Sequence, residues 1–183
     1  HMVRKSFPDF PIHASTQMTC NSLADVRYWE SQGFNKIVLS CELSIEEIKH
    51  ITENVDAEIE TFVHGALCVS MSGQCYLSEY IGGRSANRGE CAQPCRKKYS
   101  VETTDGKVIK KDIYALCLKD FNASALLDEM VDAGVNSFKI EGGLKDINYV
   151  KNVVSYYRNK LGKGVSSGKT NAKIYPLEKS FNR

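Results

Sequence analysis

The feature that most constrains this chain is a rhythm in which short β-rich runs alternate with amphipathic helical segments, the signature of βα units and a parallel sheet. Phe10-Pro11-Ile12-His13-Ala14 is the first run. Ser22, with Asp25 three residues on, opens a helix that carries Leu23, Val26 and Trp29 on one face and stops at Gly33. Lys36 to Ser40 reads as a buried strand, and Ser44 with Glu47 forms a capping box for a helix whose Ile45, Ile48, Ile51 and Val55 recur at helical spacing. Glu58 to Val63 makes the third strand.

The rhythm breaks between Ala66 and Lys98. There Gly82-Gly83, Gly89 and Pro94 punctuate a stretch without clear period that holds Cys68, Cys75, Cys91 and Cys95. Residues 99–112 read as a β-hairpin turning at Thr104-Asp105-Gly106. Tyr114 to Leu116 is then expected to resume the parallel strands, followed by a helix with Leu126, Leu127, Met130 and Val131 ending at Gly134. A strand from Ser137 to Ile140 and a helix with Val150, Val153, Val154 and Tyr157 complete the series. The expected fold is α/β, a partial (βα) TIM-type barrel with a Cys-rich insertion at 66–98: five strands, against the eight strands and about 250 residues of a complete barrel. Residues 1–161 form that unit, with His1-Met2 read as the scar of a cleaved tag. Residues 162–183 read as a Gly/Ser/Lys-rich linker and the start of a following β domain, with a strand at Lys173 to Leu177. In such folds the C-terminal strand ends face the ligand, which makes His13, Glu42, His64 and Glu141 the catalytic candidates, beside Lys119-Asp120.

Seven cysteines in 183 residues do not pair evenly, and an odd, clustered set without an export signal points to metal or redox chemistry. Six, fifteen and three residues separate Cys68, Cys75, Cys91 and Cys95. Four thiolates on one loop can surround a 4Fe-4S cluster or a zinc ion; zinc favours pairs with two to four residues between them, which Cys68 and Cys75 do not meet, so spacing tilts toward iron-sulfur. Cys20 and Cys41 read as buried small apolar residues. A 42% hydrophobic and 25% charged composition with net charge +2 fits a globular chain and excludes wholesale disorder. No apolar run approaches the roughly 20 residues that span a bilayer, so a cytoplasmic protein without membrane contact is expected.

From Phe10 onward the chain resembles the collagenase-like unassigned-peptidase family 32. The resemblance rests on Pro11-Ile12-His13-Ala14-Ser15-Thr16-Gln17, Glu42-Leu43-Ser44, the run His64 to Ser78, Arg88-Gly89-Glu90-Cys91, Leu118-Lys119-Asp120 and Lys139-Ile140-Glu141-Gly142. It implies a βα barrel with a 4Fe-4S cluster, in a family whose members hydroxylate tRNA wobble uridine, 23S rRNA cytidine or a ubiquinone precursor. Prephenate is the implied hydroxyl donor, a small carboxylate that needs cationic groups to hold it. The family name implies the alternative of a collagenase-like peptidase, and a non-catalytic fragment holding zinc or no metal is a further alternative. Among the thiols, Cys68, Cys75 and Cys91 rank first as ligands, Cys95 fourth, with Cys117 its competitor. Where relatives commonly have Arg before Glu-Leu and after Glu-Gly, this chain has Cys41 and Gly143; where some carry a cysteine after Lys-Asp, it has Asn122.

Between Arg84 and Lys111, eight basic residues outnumber three acidic ones, and Arg84, Arg88, Arg96, Lys97 and Lys98, with Tyr76, Tyr80 and Tyr99 close in sequence, suit contact with tRNA or rRNA. A five-strand partial barrel would leave Ile37, Val38, Leu39, Phe138 and Ile140 near solvent, and a homodimer is expected to cover them.

Overall fold

A computed structural model describes residues 2–162. In chain order the elements are α1 (Met2–Ser6), β1 (His13–Ala14), α2 (Leu23–Ser31), β2 (Lys36–Val38), α3 (Ile45–Thr52), β3 (Glu58–Gly65), α4 (Leu77–Gly82), β4 (Tyr99–Glu102), β5 (Val108–Ile113), β6 (Phe121–Asn122), α5 (Leu127–Asp132), β7 (Ser137–Glu141) and α6 (Ile147–Gly162). Four strands run parallel in the order β1-β2-β3-β7, and β6 adds an antiparallel pair to the end of β3. Among the described residues the sheet is open at β1 and β7, so the fold is α/β with no closed barrel. The expected linker beyond Gly162 and the strand at 173–177 lie outside the described residues. No helix among them is long and apolar enough to cross a membrane.

The local signals explain most of these elements. Ser22 accepts a hydrogen bond from the Asp25 amide to open α2, and the Ser44–Glu47 capping box opens α3. A repeat then sets β2 against β1 and β7 against β3. In Gly33-Phe34-Asn35, the Asn35 amide donates to the Ile12 carbonyl at 3.0 Å and its Oδ1 accepts from the Ile12 amide at 3.3 Å. Gly134-Val135-Asn136 does the same to Ile59, at 3.0 Å and 2.8 Å. Each asparagine thus supplies a side-chain rung next to the first ladder rung and fixes register.

The two faces of the sheet differ in kind. Ile37, Leu39, Ile59 and Val63 belong to a core shared with Val26 of α2, Ile48 and Ile51 of α3, Leu127 and Met130 of α5, and Val153 and Tyr157 of α6. The opposite face is polar: Lys36 pairs with Glu58 at 3.1 Å, and Ser137 donates to Glu60 at 2.6 Å. Side-chain alternation puts Val38, Ser40, Phe62 and Lys139 on this second face, following the register Val38 to Glu60 and Phe62 to Lys139.

Three expectations are corrected. Tyr114 to Leu116 forms no strand: β7 already occupies the edge of β3 from Glu60 to Gly65, and the segment turns instead, with the Cys117 amide donating to the Tyr114 carbonyl. The first strand shrinks to two residues, because Pro11 offers no amide to a ladder. Ile37, Val38 and Leu39, expected near solvent, are all less than 5% exposed, and Phe138 and Ile140 pack against the core within the chain.

β3 crosses β7 closely at Gly65. Its φ is +116°, and a Cβ there would lie 2.0 Å from the Glu141 carbonyl oxygen. Gly65→Ala is expected to cost roughly 3–5 kcal/mol in urea unfolding, because neither the backbone angle nor the opposing carbonyl can yield cheaply.

His64 is fully buried beside Tyr157. The Tyr157 hydroxyl donates to the Val63 carbonyl at 2.8 Å, so His64 Nδ1 is the donor in its 3.1 Å contact with that hydroxyl. Burial holds the imidazole below its ordinary pKa of 6.5. A depressed pKa means that the unfolded chain takes up the proton first, so stability is complete above pH 6.5 and falls as pH drops below it. Urea midpoints between pH 7.5 and 5 are expected to fall for the wild type and to fall less for His64→Gln.

Candidate functional site at the cysteine loop

The loop that leaves β3 returns over the C-terminal ends of β1 and β2 and is anchored there by Ser72, which is 5% exposed. Its amide and hydroxyl donate to the two carboxylate oxygens of Glu42 at 3.1 and 3.0 Å, while the hydroxyl accepts from the Cys41 amide at 3.1 Å. Thr19, after β1, donates its hydroxyl to the Ser72 carbonyl at 2.9 Å and accepts from Gln74 at 3.0 Å. Gly73 closes the contact at φ +74°, where a Cβ would lie 2.9 Å from Gln17 Cα. Glu42, a catalytic candidate by sequence, therefore works as the clamp of this loop.

Arg96 secures the far side. Its guanidinium donates to the Leu67 carbonyl at 2.8 Å, the Leu118 carbonyl at 2.7 Å and Cys117 Sγ at 3.0 Å. It is committed within the chain, whereas Arg84, Arg88, Lys97 and Lys98 of the expected nucleic-acid set are exposed. Lys98 stands over the Tyr114 ring at 5.6 Å. The six-residue helix α4, which the broken periodicity concealed, carries the 89% exposed Tyr80.

The thiols meet electrostatically. Burial pushes the Cys68 thiol up, and Cys75, Cys95 and Cys91 push it further, because each adds a negative charge to its surroundings. Burial also raises Cys95, with Arg96 opposing and Cys91, Cys75 and Cys117 reinforcing. The five cysteines singled out by spacing and resemblance thus share one neighbourhood. They are not drawn onto a single point: among the described residues no three His, Cys, Asp or Glu side chains stand close enough to hold one metal ion. Backbone donors are at hand, since the Gln93 amide lies 3.3 Å from Cys91 Sγ.

The remaining cysteines divide. Cys20 is fully buried, with a thiol pushed up to about 11, an inert core residue as expected. Cys41 is half-buried at the rim of the loop, where it feels both Cys68 and Lys139. The other catalytic candidates are not brought together: His13 is exposed on β1, His64 is in the core against Tyr157, and Glu141 accepts from the Gly143 amide at 3.3 Å. Asp120 is engaged by Lys145 at 2.9 Å and by the Tyr149 hydroxyl at 2.9 Å. Sequence reasoning missed Ser72 and Thr19 as loop anchors; their only signal is a small polar residue at a strand end or loop, which is too common to single out.

Comparison with known proteins gives this geometry a context. The chain is 42% identical to 23S rRNA 5-hydroxycytidine C2501 synthase of Escherichia coli, over 96% of this chain and 28% of that protein. It is 39% identical to tRNA hydroxylation protein P1 of Bacillus subtilis, over 85% of this chain and 38% of that one, and 35% identical to a collagenase of Porphyromonas gingivalis, over 82% and 39%. The chain spans less than half the length of each. No solved structure matches it. The model of peptidase family U32 matches residues 1–183, and with identity of this extent to bearers of both RNA-hydroxylation and collagenase names, the chain belongs to that family.

Proposed function

We propose that this chain is the cysteine-bearing part of an iron-sulfur protein that hydroxylates a tRNA or rRNA base. The observation that carries the reading is the shared neighbourhood of Cys68, Cys75, Cys91 and Cys95 at the ligand end of a parallel sheet. The relatives named for RNA hydroxylation supply the substrate class.

The donor set fits a 4Fe-4S cluster better than a single zinc ion. Zinc draws its thiolates to about 2.3 Å from one centre, whereas a four-iron cluster takes one thiolate per iron and keeps the sulfurs apart. The six residues between Cys68 and Cys75 depart from the two to four that zinc pairs favour. Cys68, Cys75 and Cys91 would hold three irons and Cys95 the fourth, with Cys117 its competitor. A bound cluster supplies electron-transfer chemistry. Around it this chain's residues have separate tasks: Glu42 and Ser72 fix the loop, Arg96 and the Gln93 amide direct N–H groups at sulfur, and the exposed Lys97, Lys98, Arg84 and Arg88 offer positive charge to an RNA backbone. A small carboxylate such as prephenate serves as hydroxyl donor in this reading.

The peptidase alternative draws no support from Ser72 and Ser78. Ser72 gives its hydroxyl proton to Glu42, Ser78 accepts from the Ala92 amide at 2.8 Å, and His64 is bonded to Tyr157.

Replacing Cys68, Cys75 or Cys91 with Ser is expected to remove most of the iron and sulfide retained after anaerobic purification, while Cys20→Ser keeps both; equal iron in all four variants would refute the ligand set. Neutralising Lys97 and Lys98 together is expected to weaken RNA binding and to lower the slope of log affinity against log salt by about 1 to 2, measured by fluorescence anisotropy. An unchanged slope would place the RNA elsewhere.

A further inference from the structure

Each row of the sheet's polar face carries charged or hydroxyl side chains. Near the N-terminal ends of the strands Lys36 meets Glu58, and one row higher Glu60 accepts from Ser137. The next row holds Phe62 and Lys139, in register on β3 and β7, and Ser40, two residues beyond Val38 on the same alternating face. Lys139 is half-buried and, among the described residues, makes no ion pair with a carboxylate. Its ammonium lies 4.9 Å from the centroid of the Phe62 ring and 3.5 Å from Thr16 Oγ1. The Ser40 hydroxyl, in a residue 5% exposed, has no hydrogen-bond partner among the described residues.

The contact with Thr16 also reports shape. β1 and β7 are three strand positions apart, roughly 14 Å in a flat sheet. A lysine can reach a residue just past β1 only if the sheet and the turn after β1 curve over this face. The row therefore lines a concavity at the C-terminal end of the strands, where βα folds bind ligands. Cys41, whose thiol feels both Lys139 and Cys68, connects it to the cysteine loop.

An ammonium without a carboxylate partner among the described residues, an unpartnered buried hydroxyl, a second hydroxyl and an aromatic ring share this row. We propose that Lys139, Thr16 and Ser40 form a seat for a small carboxylate with a planar apolar body, the body lying against Phe62. One cation and two hydroxyls match the single charge and two oxygens of a carboxylate; a doubly charged phosphate calls for more donors than the row provides. The seat deepens the function proposed above, on which it rests for the role of its ligand as hydroxyl donor, although the binding itself requires neither cluster nor RNA.

Titration of the protein as isolated with benzoate and with inorganic phosphate, followed by calorimetry and by amide chemical shifts, tests the seat. Saturable benzoate binding is expected, weakened roughly tenfold or more in Lys139→Met, several-fold in Ser40→Ala and least in Lys139→Arg, with phosphate much weaker. No saturable benzoate binding by the wild type would overturn the proposal, and so would equal affinity in a folded Lys139→Met. Lys139-dependent phosphate binding as tight as that of benzoate would overturn the carboxylate assignment, as would loss of RNA affinity in Lys139→Met with benzoate binding intact. Should Lys139→Met not fold, Ser40→Ala and Thr16→Val carry the same comparison. Iron content is read separately, so loss of the cluster reading leaves this result standing, and the reverse also holds.

Discussion

The arrangement hangs on β3 and on the strand beside it. β3 is the one long strand, paired with β2 along its first half and β7 along its second, and buried over most of its length. Its last residue, Gly65, lies against the Glu141 carbonyl so closely that the Ala66 amide donates back to that oxygen at 3.3 Å. The cysteine loop begins at this crossing. Its starting point and direction are set by backbone contact, which side-chain substitutions in the loop leave untouched.

From there the loop is held by polar groups more than by apolar ones. Glu42 receives two hydrogen bonds from Ser72, and the buried anchor leaves Cys68 and Cys91 exposed. Hydrogen bonds to a charged carboxylate are stronger than neutral ones, which suits a loop with few buried apolar residues. The same division appears in the sheet, where helices cover an apolar face while the other face carries the Lys36–Glu58 pair, the Ser137–Glu60 hydrogen bond and Lys139.

Much of this was legible in the sequence where a local signal and a tertiary role coincide. Ser22, Ser44 and Glu47 cap the helices they announce, and the apolar periodicity located Val26, Ile48, Ile51, Val153 and Tyr157 in the core. Val131, Val150 and Val154 fit the same period yet stand exposed, because period alone does not tell which flank of an apolar stripe meets the sheet. Tyr114 to Leu116 has strand composition, but the edge of β3 is taken by β7, a fact that resides in the long-range pairing of those two strands. The cysteine loop could be located by its thiols and glycines, whereas its anchors could not. Ser72 and Thr19 matter for what they touch, residues 30 and 53 positions away in sequence.

Arg96 has a consequence for motion. By gripping Leu67 at one end and Cys117 and Leu118 at the other, one guanidinium closes the base of a long excursion that includes α4 and the β4–β5 hairpin. Loop closure removes disorder from the excursion as a whole while leaving its interior joints free. The hairpin is mostly exposed and pairs only with itself, so it is hung from a fixed point in the manner of a signboard on a bracket. Its bracket is beside the thiols, because the Tyr99 hydroxyl of β4 donates to the Pro94 carbonyl at 2.7 Å, next to Cys95, so a load on the basic strand is passed to the cysteine loop.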